Sequence, residues 1–196
     1  VVSNPADIIT KAVQETSGLP GNRVIGTGTS LDTARFRYNI STKLHVNVED
    51  IQAYVVGEHG DSQVAVWSSA MVGGFPLEDY AKQVGVTLDK KEIAEHTKNG
   101  GAEVIGLKGA TFYGIAMSVS NIVEAIMKDD SAILPAACVL DESFGEWAGV
   151  AVSLPCRIGW EGIETCLRIP MNEEEQAAMN KSVAILKDFW AQVKEQ

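Results

Sequence analysis

Residues Arg23 to Tyr38 read RVIGTGTSLDTARFRY. The opening RVIGTG is a short apolar run ending in a Gly-Thr-Gly turn, which predicts a strand delivered into a tight turn. From Leu31 to about Lys43 apolar residues then recur at helical spacing. Working back from this stretch, Val1-Val2 reads as the end of a buried strand. Asn4 is placed to cap a helix with Pro5 at its first position, where a missing N–H costs nothing, and Gly18 is placed to end it. Ile8, Ile9, Ala12 and Val13 give that helix, Ala6 to Ser17, an apolar face. Strand, helix, strand over residues 1–28 is the closing piece of a parallel α/β unit. A buried strand that starts at the first residue, with no initiating methionine, looks cut from a longer chain.

Working forward, Ile51 to Val56 is a strand, and Leu88 to Asn99 a polar, helix-prone segment. Thr111 to Lys128 is a longer helix with Phe112, Ile115, Ala116, Val119, Ile122, Val123 and Ile126 expected to face inward. Cys138 to Leu140 and Val150 to Leu154 form a candidate antiparallel pair, with another short strand between Ile163 and Ile169. Asn172 with Glu175 three residues on suits a capping box, and Met179, Val183, Leu186, Trp190 and Val193 make one stripe on the final helix. Residues 29–196 therefore read as one α+β domain following the 1–28 remnant.

The 196 residues carry 16 Lys plus Arg against 26 Asp plus Glu, a formal charge of −10. No basic block offsets this acidity, which argues against nucleic acid as a partner. No window reaches the roughly 18–20 apolar residues of a membrane span, and the N-terminus lacks the features of a signal peptide. Cys138, Cys156 and Cys166 form neither a CxxC pair nor an even set. They give no zinc framework or closed disulfide scheme, and a reducing cytoplasm is the default reading.

Two clusters carry candidate chemistry. In the helix from Leu31, positions Leu31, Ala34, Arg35 and Tyr38 fall on one stripe, which puts the Arg35 cation on an inward face with Asp32 one turn earlier. A guanidinium fork there suits a carboxylate, whether from the protein or from a ligand. A structural Asp32–Arg35 helix pair explains the spacing equally well. The second cluster, Val56 to Ser62 (VGEHGDS), places His59 between glycines directly after a strand. Histidine titrates nearest neutrality and can give or take a proton there, although a lone turn histidine is more often a hydrogen-bonded loop residue. His45 and His96 sit in charged stretches and read as surface residues. Glu58, His59 and Asp61 match no compact metal loop, so no metal is expected. Gly26-Thr27-Gly28 lacks the third glycine of GxGxxG, because Leu31 stands there, and no GxSxG occurs.

Together these motifs are far more specific than any one of them. VVSNPADIIT (Val1 to Thr10), RVIGTGTSLDTARFRY (Arg23 to Tyr38) and GEHGDSQVAVWSSA (Gly57 to Ala70) resemble, in order and separation, consecutive signatures of the L-lactate/malate dehydrogenase family. The resemblance continues through KGATFYGIA (Lys108 to Ala116) and the final helix. GEHGDS, with Glu58, is closer to the lactate branch than to the malate branch. What is implied is the C-terminal substrate and catalytic domain over residues 29–196, behind a Rossmann remnant over 1–28. The implied reaction is NAD-dependent interconversion of L-lactate and pyruvate by hydride transfer, in a cytoplasmic homo-oligomer, a tetramer by the same resemblance. A malate or other 2-hydroxy acid enzyme, and a non-catalytic assembly module, are the alternatives.

Residue by residue, the resemblance implies that His59 is the proton donor and acceptor, oriented by Asp32. It implies that Arg35 binds the substrate carboxylate, that Asn4 touches the nicotinamide or the substrate, and that Thr111 lines the pocket. Arg37 matches an arginine that binds fructose 1,6-bisphosphate in activated members, but the paired histidine position is Gln52, a neutral amide. Insensitivity or only weak sensitivity to that ligand follows. The 196 residues contain neither a GxGxxG turn after a first strand nor the acidic residue for the adenosine ribose. They also lack the loop that closes over substrate with a second arginine. Turnover by the chain alone is therefore expected to be incomplete.

Overall fold

A computed structural model describes residues 1–194 of the chain. Helix α1 spans Ala6–Ser17 and ends on Gly18 at φ +68°, as the sequence predicts. Its start differs. Pro5, not Asn4, takes the cap position, and no side chain caps the helix. The predicted strands on either side are reduced to single rungs. The Val1 amine donates to Ile25 O (2.6 Å) and Thr27 N–H to Val1 O (3.0 Å), while Gly26 bridges Ala137 antiparallel. These rungs keep the parallel strand-helix-strand arrangement without enough pairs to make strands.

Helix α2 (Ser30–Leu44) packs on strand β1 (Ile51–Val56), which pairs antiparallel with β2 (Val64–Val72) and, through it, with the short β3 (Phe75–Pro76). Helices α3 (Leu77–Gln83) and α4 (Lys90–Lys108) follow. After α5 (Tyr113–Lys128) comes a second antiparallel sheet, β4 (Ala132–Val139), β5 (Ala151–Gly159) and β6 (Gly162–Cys166), in that order, and then α6 (Glu173–Lys194). Among the described residues no helix is long and apolar enough to cross a membrane.

Two apolar cores result. Phe36, Ile40 and Leu44 of α2 meet Ile51, Ala53 and Val55 of β1, with Leu77 and Ile93 closing the far side. Phe36 is fully buried and meets Trp67 edge to face, ring centroids 4.7 Å apart. The other core lies between the β4–β5–β6 sheet, α1 and the Met179, Val183 and Leu186 stripe of α6. Asn172 and Glu175 form the predicted capping box: Asn172 Oδ1 accepts from Glu175 N–H at 2.9 Å, and Glu175 Oε2 from Asn172 N–H at 3.0 Å. Glu175 does more than cap. Its Oε1 also accepts from the N–H groups of Trp67 (2.8 Å) and Ser68 (3.0 Å), which pins β2 to the start of α6.

Three expectations change. The buried stripe of α2 is Asp32, Thr33, Phe36, Ile40 and Leu44, so Ala34 and Tyr38 face out and Arg35 is only half-buried. Helix α4 continues to Lys108, through a glycine pair that reads as a stop. The apolar side of α5 is mostly uncovered, with Phe112 and Val123 exposed and only Ile122 of the predicted inward set buried.

Candidate active site

The connection from β1 to β2 is the loop Gly57–Gln63, and it holds His59. Several anchors fix it. Gly57 exchanges backbone hydrogen bonds with Ser153 of β5 (3.0 and 3.1 Å), which joins the two sheets at this point. Gly57 has φ +90°, and a Cβ there would sit 2.8 Å from Ser182 Oγ, so the approach to α6 requires glycine. Ser182 Oγ accepts from Glu58 N–H at 2.8 Å, and the Glu58 carboxylate accepts from Ser62 N–H (3.2 Å) and from the Ser62 hydroxyl. His59 N–H donates to Asp7 Oδ2 at 2.7 Å.

On the other side, Thr29 and Thr33 tie α2 to the end of β1. Thr29 Oγ1 donates to Val55 O (2.6 Å) and Thr33 Oγ1 accepts from Val55 N–H (3.0 Å). That tether sets Asp32 facing the histidine. Asp32 Oδ2 lies 2.6 Å from His59 Nδ1, and Asp32 Oδ1 accepts from Arg35 Nη1 at 3.3 Å. Asp32 is 3% exposed, whereas His59 and Arg35 reach the surface of a cavity of about 520 Å³. Asn4 and Thr111 line the same cavity, with Leu31, Ile105 and Ile115 as apolar wall. The structure thus brings Asn4, Asp32, Arg35, His59 and Thr111 into one place. Arg37 and Gln52 lie outside the cavity: Arg37 Nε donates to Ala53 O (2.8 Å) with its guanidinium over the Tyr54 ring, and Gln52 is exposed on β1. His45 and His96 are surface residues, as expected.

The hydrogen bond to Asp32 raises the His59 pKa above its usual value, and the Asp32 and Asp7 charges add to this while burial and Arg35 oppose it. With Nδ1 facing Asp32, the ring's Nε2 is the nitrogen free to carry a transferable proton. Arg35, 20% exposed at its side chain, offers the rest of its fork to an anion in the cavity. A half-buried guanidinium, a histidine acid and an apolar wall can hold a small carboxylate and protonate an oxygen beside it.

Three contributors escape the sequence reading. Asp7 is 2% exposed; burial pushes its carboxyl up to about 7, against the opposing His59 backbone hydrogen bond. In sequence it is an acidic residue in a helix first turn, which the helix dipole alone explains. Gly100 lies inside α4, where glycine costs about 1 kcal/mol against alanine, and a Cβ there would stand 3.0 Å from Arg35 Cδ and 3.1 Å from Nε. It leaves room to seat the guanidinium. Ser182 is a polar gap in the α6 stripe whose partner is 124 residues away.

Residues 29–196 match the model of the lactate/malate dehydrogenase alpha/beta C-terminal domain. An L-lactate dehydrogenase of Acetivibrio thermocellus is 42% identical over 192 residues, 96% of this chain and 60% of that protein. One from Nitratidesulfovibrio vulgaris is 41% identical over 194 residues, 97% of this chain and 62% of its own length. The solved structure of the minor L-lactate dehydrogenase from Enterococcus mundtii, in its ligands-bound form, superposes with a TM-score of 0.93 at 38% identity, covering 98% of this chain and 62% of that one. The chain spans about three fifths of the length of the curated relatives it matches.

Proposed function

The chain belongs to the lactate/malate dehydrogenase family, and on that premise we propose that its cavity is the acid–base and substrate-anchoring part of an NAD-dependent L-lactate dehydrogenase, which interconverts pyruvate and L-lactate. The observation that carries this reading is the convergence of His59, Asp32 and Arg35 on one cavity wall, with Asp32 held between the other two. Arg35 binds the keto-acid carboxylate, placing the C2 carbonyl toward His59. As hydride reaches C2 an oxyanion develops, and His59, donating from Nε2, stabilises and protonates it. Asp32 keeps the Nδ1–H oriented and balances the imidazolium charge. In the reverse direction neutral His59 takes the lactate hydroxyl proton.

The side chain of Asn4 and the apolar surface of Leu31 and Ile115 suit the amide and ring of a nicotinamide, and Thr27 lines the same wall. When bound, that group supplies or accepts the hydride. No glycine-rich phosphate loop occurs among the 196 residues, so they fit the nicotinamide end of the cofactor and not its diphosphate. Lactate over malate is favoured by the relatives, which are named L-lactate dehydrogenases. On the same reading the enzyme is a cytoplasmic homo-oligomer, a tetramer by family resemblance, with a 2-keto or 2-hydroxy acid as its small-molecule partner. It is insensitive or only weakly sensitive to the sugar bisphosphate, since Arg37 donates to Ala53 O and Gln52 carries no charge.

The test joins this chain to the upstream segment of the Acetivibrio thermocellus relative that it does not cover, and follows nicotinamide absorbance with pyruvate. Turnover that disappears in His59→Gln is the expected result. A folded chimera that is inactive, or one whose activity survives His59→Gln, would overturn the reading.

A further inference from the structure

Strands β4, β5 and β6 bring together three cysteines that the sequence scatters. Cys156 stands directly opposite Cys166 in the β5–β6 register, and their sulfurs are 3.7 Å apart. Cys138 reaches over from β4 to within 2.7 Å of Cys166 Sγ, and all three sulfurs lie within 4.8 Å of one another. Cys138 and Cys156 are buried at the edge of the apolar core. Cys166 is half-buried and opens, with Cys138, onto a cavity of about 370 Å³ that shares no lining residue with the cavity of His59.

Three sulfurs in mutual contact, reachable from solvent on one side, are a donor set without an assigned use. Four-coordinate zinc–thiolate bonds of about 2.3 Å set neighbouring sulfurs about 3.8 Å apart. The Cys156–Cys166 pair already has that spacing, and the Cys138–Cys166 pair must open by about 1 Å, which side-chain rotation supplies. We propose that Cys138, Cys156 and Cys166 form a three-thiolate site for a thiophilic d¹⁰ metal ion, the chemistry that zinc(II) and copper(I) share. Soft thiolates select such ions over magnesium or calcium.

Cys166, half-buried at the cavity wall, is the ligand nearest solvent. Cys156 must give up its S–H contacts to Leu154 O (3.3 Å) and Ala136 O (3.6 Å). The ion displaces the thiol protons to solvent, with no change in oxidation state, so uptake is weaker at low pH. The cavity side is left for a fourth donor from solvent. Once bound, the ion ties β4 to β6 across β5 and stabilises the folded chain by mass action.

The experiment titrates the reduced 196-residue chain, kept free of oxygen, with Cd²⁺ and reads the ultraviolet sulfur-to-metal charge-transfer band. One equivalent per chain is expected, with the three thiols protected from a thiol reagent and a higher melting temperature. Zn²⁺ or Cu⁺ should displace the probe. Cys166→Ala, at the half-buried position, should weaken uptake about 100-fold or more, with melting as the folding control. The titration of the unsubstituted chain stands even if that variant unfolds. Absence of the band, or equal uptake by a folded Cys166→Ala chain, would overturn the site. So would air oxidation that joins Cys138 to Cys166 in a chain that takes up no metal.

Discussion

Asp32 is the residue on which the site turns, because its two oxygens face different partners. Removing its charge as Asp32→Asn leaves His59 with burial, which disfavours the imidazolium, and without its strongest hydrogen-bond partner. The His59 pKa should then fall from above its usual value to that value or below it, measured by imidazole NMR across pH. A pKa that stays raised would mean that Asp32 is not its cause. Asp7 gives a second test. Its folded pKa, about 7, lies above the ordinary aspartate value of 3.8, so the protonated form favours folding. That contribution is complete below about pH 4 and is lost as pH rises through about 7, a change on the order of 4 kcal/mol. His59, also raised, loses its contribution in the same direction but from its unperturbed value near 6.5 upward. Asp7→Asn keeps an acceptor for the His59 N–H, so its stability advantage over the parent should grow between pH 4 and 7 and then level off in melting curves. His59, Asp32 and Arg35 were legible in the sequence because motif and resemblance agreed on them. Asp7 was not, since a helix-start aspartate has an ordinary explanation.

At the scale of elements, periodicity located α1, α2, β1, the β4–β5 pair and the capping box of α6, and it failed where local signals compete with packing. The α2 stripe came out one position off because Asp32 and Thr33, polar in sequence, are buried against β1 by the hydrogen bonds they make there. Gly100-Gly101 reads as a helix end, yet α4 runs through it because the first glycine accommodates Arg35. Ser68 and Ser69 in the middle of β2 obscured a strand whose edge is held by Glu175 from α6. That clamp predicts that Glu175→Ala costs about 1.5–3 kcal/mol, because the N–H groups of Trp67, Ser68 and Asn172 lose a charged acceptor at a part-buried contact. Equilibrium denaturation measures it, and a loss under 1 kcal/mol would show the clamp to be unimportant. The three-cysteine cluster had no sequence signal at all: spacings of 18 and 10 residues acquire meaning only through strand register.

For the whole molecule, two cores joined at the Gly57–Ser153 bridge hold the cavity, but a hydride donor must also be held. Placing donor and carbonyl in near-attack geometry accounts for roughly 7–11 kcal/mol of a barrier of this kind. The 196-residue chain measured by itself, lacking a diphosphate-binding loop among its residues, should therefore show negligible pyruvate reduction. Saturable turnover near the rate of the chimera would refute this. The central claim is that Arg35 anchors the substrate carboxylate, and steady-state kinetics of Arg35→Lys in the chimera test it most directly. Lysine keeps the charge but loses the two-pronged donor, and one charge-assisted hydrogen bond is worth about 1.5–3 kcal/mol, so the KM for pyruvate should rise roughly 10- to 150-fold with an unchanged melting temperature. An unchanged KM and kcat would return Arg35 to the scaffold as a partner of Asp32 alone.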